Sequence, residues 1–329
     1  MGLVPVREGI KSTVDIESIL NRKFSGASVL CLEQGALEGS MQIIIFENIG
    51  LSLLRLNKKV AISADRKGDQ SFFFVNLLEN LSYGNRVIVA QGVNIEKPVI
   101  FGFNSGLLDL DLQLHSECCF CTISIENDFL AQKISQYNCV KVQHVLDKYN
   151  IFFSGPVRSV LIAYLRGFWL NVNNISSSEQ VVVEEILLTL LECFTSNADR
   201  RVGIALKRCD RHAAALQVLS FATSSPTRPF EIQDLCSLLH QSRTSLFNGC
   251  KEKFNMSPLQ VVRTVRLHQV RHALMDLEFC TEHGIGGVTG VASYFGFVGR
   301  SHFARLYKDE FNETPRYTLA KRRLADQDF

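Results

Sequence analysis

No stretch of the 329-residue chain approaches the roughly 18 uncharged apolar residues that a membrane span needs. The first twenty residues, MGLVPVREGIKSTVDIESIL, also lack a basic start followed by an apolar core and a small-residue cleavage site, so they do not read as a signal peptide. A cytoplasmic location is expected. Histidine is scarce early: only His115 and His144 precede residue 199 and no H-x-H occurs, which leaves a cupin-type metalloenzyme without paired ligands. GFNSG at 102–106 carries its serine one place too late for a nucleophile elbow. GIGGVTG at 284–290 follows no strand and lacks G-x-G-x-x-G spacing. No enzymatic activity and no cofactor are expected.

Ten cysteines are present, most of them inside apolar runs, which favours reduced core thiols. HSECCFC at 115–121 has the residue types for zinc. On a strand, however, Cys119 and Cys121 share one face while Cys118 points the other way, and no second ligand pair stands nearby. No metal site is expected.

The 46% hydrophobic and 21% charged content is that of a globular protein, long enough for two domains. Its net charge of +2 hides a split: residues 199–329 hold 19 Lys and Arg against 13 Asp and Glu, whereas residues 1–198 hold 16 against 20. A basic C-terminal part suits a polyanion partner, though solvated helices are often mildly basic.

Residues 41–126 read as short β-runs, from MQIIIFE to CCFCTISIE, separated by NIG, RKGD, YGN and NSG turns. A small β-barrel or sandwich, cupin-like, is expected. SFFFVNLL and VIFGF supply Phe72–Phe74, Phe101 and Phe103, either as core or as the lining of an apolar pocket. Helical patterns follow over 128–198, with Asp128 as an N-cap, Pro156 in a first turn and Ser177 with Gln180 at capping-box spacing. Val183, Ile186, Leu187, Leu190, Leu191 and Phe194 form an apolar stripe that either packs on the β-domain or makes a homodimer contact. The expected division is a sensor and dimerisation domain at 1–198, a charged linker at 199–210 and an all-α domain at 211–329, an α+β chain as a whole.

Within the α-domain a phrase is written twice. SRTSLFNGCKEKFNMSP at 242–258 returns, 57 positions later, as GRSHFARLYKDEFNETP at 299–315. Arg243 falls on Arg300, Leu246 on Phe303, Lys251 on Lys308, Phe254 on Phe311, Asn255 on Asn312 and Pro258 on Pro315. A short helical segment precedes each copy, so each unit, about 231–255 and 287–312, reads as helix, turn, helix. Such a motif lays its second helix in the DNA major groove with polar N-terminal side chains toward base edges. Arg243, Thr244, Ser245, Asn248 and Lys251 supply them in the first unit, and Arg300, Ser301, His302 and Arg305 in the second. The spacer PLQVVRTVRLHQVRHALMD, about twenty residues or roughly 30 Å as a helix, matches one turn of B-DNA. Arg263, Arg266 and Arg271 on one broad side of it are candidate phosphate contacts.

The two units, the spacer RTVRLHQVRHAL and the end ASYFGFVGRSHFARLYKDEFNETPRYTL resemble the DNA-binding domain of the AraC/XylS family of transcription regulators, over about 211–325. The resemblance implies seven helices with two helix-turn-helix motifs, double-stranded DNA as a partner, and activation through RNA polymerase. By position it puts base-facing roles on Thr244, Ser245 and Asn248 and on Arg300, Ser301, His302 and Arg305. Two departures stand out: Cys250 occupies a position that is often aromatic, and EHGIGGVTG is unusually rich in glycine. The N-terminal part is similar in layout to the sensor and dimerisation half of such regulators, and more loosely to the ethanolamine-utilisation regulator. Control by a small-molecule effector and control by a protein partner both remain open.

Overall fold

The computed structural model of the protein describes residues 5–78, 87–95, 99–153, 156–174, 178–195, 200–202, 210–227 and 231–325. The chain forms two compact units, one of Met1–Gly9, Gly39–Asn57 and Asp65–Lys207, the other of Ile10–Glu38, Lys58–Ala64 and Arg208–Phe329. The division therefore does not follow the chain in a single step. Residues 10–38 and 58–64, expected with the N-terminal domain, fold with the C-terminal helices.

The first unit is built on an antiparallel sheet of eight strands in the order β1 (Val6–Ile10), β3 (Gly39–Ile45), β4 (Ile49–Leu56), β11 (Cys118–Glu126), β6 (Gln70–Asn76), β9 (Ile100–Phe101), β12 (Ile151–Phe153) and β13 (Arg200–Val202). A second antiparallel group pairs β10 (Asp109–Leu114) with β7 (Ile88–Ala90), and β7 with β8 (Val93–Ile95). This is an open β-sandwich region with free edges, not a closed barrel. Each expected β-run forms a strand, and β1, β8, β12 and β13 add to them.

β4 and β11 pair in register from Ile49↔Ile125 to Leu56↔Cys118, which puts Leu51, Leu53, Cys121 and Ile123 on one buried face. Alternation explains the choice, since side chains two apart share a face. Helices α2 (Asn127–Gln136), α3 (Val140–Lys148), α4 (Pro156–Asn171) and α5 (Glu179–Thr195) contribute to the same core. The stripe on α5 is part of it: Ile186, Leu187, Leu190, Leu191 and Phe194 are buried there, so that face is covered within its own unit. The phenylalanines also serve as core, with Phe73, Phe103 and Phe194 in mutual ring contact at centroid distances of 4.9–6.0 Å. Two capping expectations change. The N-cap of α2 is Glu126, with Asp128 in the first turn, and Ser177 lies outside the described residues.

Burial pushes the thiols of Cys118 and Cys121 up to about 12, so both stay protonated, and Trp169 Nε1 donates to Cys121 Sγ at 3.5 Å. Among the described residues no three His, Cys, Asp or Glu side chains are grouped as metal ligands, and no helix is long and apolar enough to cross a membrane.

The second unit holds α1 (Thr13–Leu20), β2 (Phe24–Cys31), β5 (Val60–Arg66) and the helices α6 (Asp210–Ser224), α7 (Ile232–Leu238), α8 (Arg243–Phe254), α9 (Pro258–Met275), α10 (Leu277–Glu282), α11 (Gly287–Tyr294), α12 (Arg300–Phe311) and α13 (Pro315–Ala325). The short α10 is the addition to the seven helices expected. α9 is the axis of the unit. Its first half gives Val261, Val262 and Val265 to a core with Leu235, Leu246 and Phe254; its second half gives Leu267, Val270, Ala273 and Leu274 to a core with Val291, Phe303, Tyr307 and Phe311.

α1, β2 and the residues after β2 are tied to one another and to the C-terminal helices by polar contacts. Glu17 accepts the Val29 backbone N–H at 2.8 Å, Asp15 Oδ1 stands 3.3 Å from His272 Nδ1, and the Gly35 N–H donates to the Glu310 carbonyl.

Candidate nucleic-acid interface

The repeated phrase folds twice into the same object. α8 and α12 have twelve residues each, and both their first and last residues differ by the sequence offset of 57. Each ends at an asparagine in the left-handed region, Asn255 at φ 56° and Asn312 at φ 57°, a conformation that asparagine tolerates better than most residues. The chain then restarts immediately. Ser257 caps α9 in a capping box with Gln260, Pro258 takes the first turn, and Pro315 does the same for α13.

Each of the two helices is held by one deeply buried side chain near its start, Leu246 in α8 and Phe303 in α12. Phe303 is enclosed by aromatic neighbours, Phe297 at 5.2 Å and Tyr307 at 5.7 Å between centroids. The turn before α12 requires Gly299, whose φ of +81° strains any residue with a Cβ. At the start of α8, Ser242 caps the helix by accepting the Ser245 N–H at 3.0 Å.

With those anchors inside, the polar residues face out. Arg243, Thr244, Asn248 and Lys251 are exposed on α8, as are Arg300, Ser301, His302 and Arg305 on α12. Ser245 is half-buried, its hydroxyl donating to Gln241 Oε1 at 3.2 Å, so it orders the turn more than it offers itself to a ligand. The Arg243 guanidinium lies 5.5 Å from the Phe247 ring centroid, and Arg305 Nη2 is 3.4 Å from His302 Nδ1. Lys308, the counterpart of Lys251 in the repeat, is exposed as well and belongs in the same set. The 57-residue offset is the signal that points to it.

The spacer corrects part of the expectation. Arg263 is exposed, but Arg266 and Arg271 are buried, because α9 is enclosed on nearly all sides. Arg266 Nη2 donates to the Ser225 carbonyl at 3.4 Å, and burial lowers its pKa. Arg271 pairs with Glu313 and lies 5.1 Å from the Phe311 ring centroid. Burial opposes ionisation of Glu313, yet the Thr318 hydroxyl at 2.7 Å together with Arg271 and Lys321 holds its carboxyl below the usual range. Neither buried arginine has the exposure that a phosphate contact needs.

A group that sequence reasoning missed lies on the other side of α9. His268 is fully buried, with Nε2 at 3.7 Å from Glu310 Oε1, an ion-pair distance too long for a hydrogen bond. Burial alone would lower its pKa, but neighbouring Cys31 and Glu310 carry it up to about 9. Glu17 is moved the same way by a different cause: burial raises it to about 7 against the opposing effects of the Val29 N–H, His268 and His272. No local pattern announces these contacts, since Glu17 and Cys31 stand more than two hundred residues before His268 in the chain.

Residues 235–321, which contain both candidate reading helices, match a helix-turn-helix domain family. The chain is 26% identical over 139 residues to XylDLEGF operon transcriptional activator 2 of Pseudomonas putida, a match covering 42% of this chain and 83% of that protein. The chain belongs to the AraC/XylS family. A second relative, the HTH-type transcriptional activator RhaS of Yersinia pestis (strain Pestoides F), is 25% identical over 145 residues; the match covers 44% of this chain and 47% of RhaS, so the chain spans about half of that protein's length. Among solved structures, a probable AraC family transcriptional regulator from Rhodopseudomonas palustris CGA009 is 30% identical with a TM-score of 0.30, covering 33% of this chain and 97% of that one.

Proposed function

We propose that this AraC/XylS-family chain is a sequence-specific DNA-binding transcriptional regulator that reads successive major-groove segments with α8 and α12. The observation that carries the reading is the duplication: two twelve-residue helices, each anchored near its start by a buried apolar side chain, each exposing an arginine-led polar start, and both packed against α9. The 18 residues of α9 give a spacer of about 27 Å. A binder of one groove segment has no use for a second copy at fixed spacing.

In this reading Arg243, Thr244, Asn248, Arg300, His302 and Arg305 face base edges. Lys251, Ser301, Lys308 and Arg263 face phosphates. Both named relatives are activators, which favours activation with RNA polymerase as partner, in the cytoplasm. The first unit then serves as sensor, answering to a small-molecule effector or to a protein partner. A thermal-shift screen against metabolites separates the two, because a ligand that binds only the folded state raises its melting temperature. A homodimer would have to use a surface other than the α5 stripe, which the core covers.

The test is a gel-shift titration on an operator recovered by genome-wide footprinting, repeated on random DNA at two salt concentrations. Arg305→Ala should cost about 1–3 kcal/mol on the operator and little on random DNA. Arg263→Ala should weaken both alike and reduce the salt slope by about one. Equal losses on operator and random DNA for Arg305→Ala would remove its base-reading role.

A further inference from the structure

DNA reading leaves the glycine-rich entry to the second helix-turn-helix unexplained. A Cβ built at Gly284, Gly286 or Gly287 meets no atom within 4 Å, so packing does not demand glycine at any of them. Gly284 and Gly287 each have φ of +62°, which favours glycine, but Gly286 at φ −109° has neither a conformational nor a steric need for it. The loop borders a cavity of about 420 Å³, within the size range of small-molecule sites. Leu274, Leu277, Val291 and Leu319 line its apolar side, with Thr281 and Arg322 among its polar groups.

Two features make the cavity electropositive. Among the described residues, Arg322 is the only charged side chain lining it. No carboxylate partners Arg322 among the described residues: its Nη1 contacts Cys280 Sγ at 3.9 Å, and its buried Nε has no hydrogen-bond partner. Among the described residues the carboxylate nearest to Arg322 in sequence, Glu313, is committed to Arg271, Thr318 and Lys321. The second feature is the start of α11. Its N-cap, Gly286, brings no side-chain acceptor, and no acidic residue stands in its first turn, so the positive end of the helix dipole is left uncompensated.

We propose that this cavity binds a small amphipathic anion, with a carboxylate or phosphate head and an apolar body of several carbons. The head pairs with the Arg322 guanidinium, whose planar fork suits either oxyanion, and accepts from the free N–H groups at the start of α11. The body lies on Leu274, Leu277 and Leu319. Glycine at 286 keeps the approach to the head clear.

The test is a titration of the ¹⁵N-labelled full chain with hexyl phosphate, hexanoate, inorganic phosphate and hexanol, read on backbone amides. Saturable one-to-one shifts centred on residues 281–289 are expected with hexyl phosphate, hexanoate or both, and the stronger arm identifies the head. Inorganic phosphate and hexanol should each bind at least tenfold more weakly. Arg322→Gln, which removes the charge, and Gly286→Phe, which fills open space, should each weaken binding at least tenfold while the melting curve shows a folded protein. Absence of saturable shifts up to millimolar concentration overturns the proposal, as does undiminished binding in both folded variants or equal binding of inorganic phosphate. Where a variant does not fold, the wild-type amide map decides, and shifts centred outside 281–289 count against the site. No DNA enters the experiment, so its outcome and that of the DNA-reading test are independent.

Discussion

Two arginines on the spacer of a DNA-binding portion ordinarily suggest two phosphate contacts; here a neighbouring carboxylate and the packing of one helix decide otherwise for Arg271 and its neighbour Arg266. An arginine already paired in a buried setting has little to gain from DNA, and removing it strands its partner's charge. Arg271→Ala should therefore cost about 1–3 kcal/mol of stability, because Glu313 loses its buried partner and keeps only Thr318 and Lys321, with the salt slope of DNA binding unchanged where folded protein remains. Chemical denaturation checks the first part and gel shifts the second. A marginal stability change with a reduced salt slope would return Arg271 to the DNA surface. Leu246 and Phe303 sit at the opposite pole, since their roles follow from burial alone. Leu246→Ala should destabilise by about 2–5 kcal/mol, as large-to-small core changes do, and a value below 1 kcal/mol on denaturation would show that α8 is held by something else.

At the scale of elements, α8, α9 and α12 are largely legible from sequence because their signals are local. Ser257 and Pro258 start α9, while Asn255 and Asn312 stop the helices before α9 and α13. Each relies on contacts made within about four residues. Ser257→Ala should cost about 1 kcal/mol through loss of its cap, measurable in the same denaturation series; no change would mean that Pro258 and Gln260 suffice. α11 is the contrasting case. Four of its neighbouring positions are glycine, its N-cap has no side-chain acceptor, and tertiary packing of Val291, Ala292 and Phe295 holds it instead. Strands β12 and β13 were not legible either, being three residues long with no alternation to read.

At the scale of the molecule, residues 10–38 are the largest departure from a reading by sequence order. α1 and β2 bring Glu17 and Cys31 against His268, and the titration of Glu17 and His268 makes the stability of the second unit depend on pH. Both Glu17 and His268 have pKa values raised by folding, so the folded chain holds protons that the unfolded chain has released. The stability they contribute is complete below their ordinary values of 4.5 and 6.5, and is lost as pH rises through about 7 for Glu17 and about 9 for His268. Asp15, lowered despite burial by His272 and its capping contacts, acts in the opposite direction only in the acid range, around and below 3.8. Unfolding of the second unit should thus become easier from pH 5 to pH 9, and Glu17→Gln should flatten the part between 5 and 7. Melting curves across that range provide the check; a flat profile for the unaltered chain would contradict the coupling.

By itself the sequence determined that there are β-rich and helical parts, where the two helix-turn-helix units begin and end, and which side chains anchor or expose their second helices. Those properties depend on periodicity, caps and a literal repeat, all written over short distances. Only the tertiary structure decided which spacer arginines are spent inside, that residues 10–38 fold with the C-terminal helices, and that Glu17, Cys31, His268 and Glu310 meet. Those contacts join residues far apart in the chain, from 41 positions for Arg266 and Ser225 to opposite ends for Cys31 and His268, and the energy that selects them comes from shared burial, which no short stretch of sequence encodes.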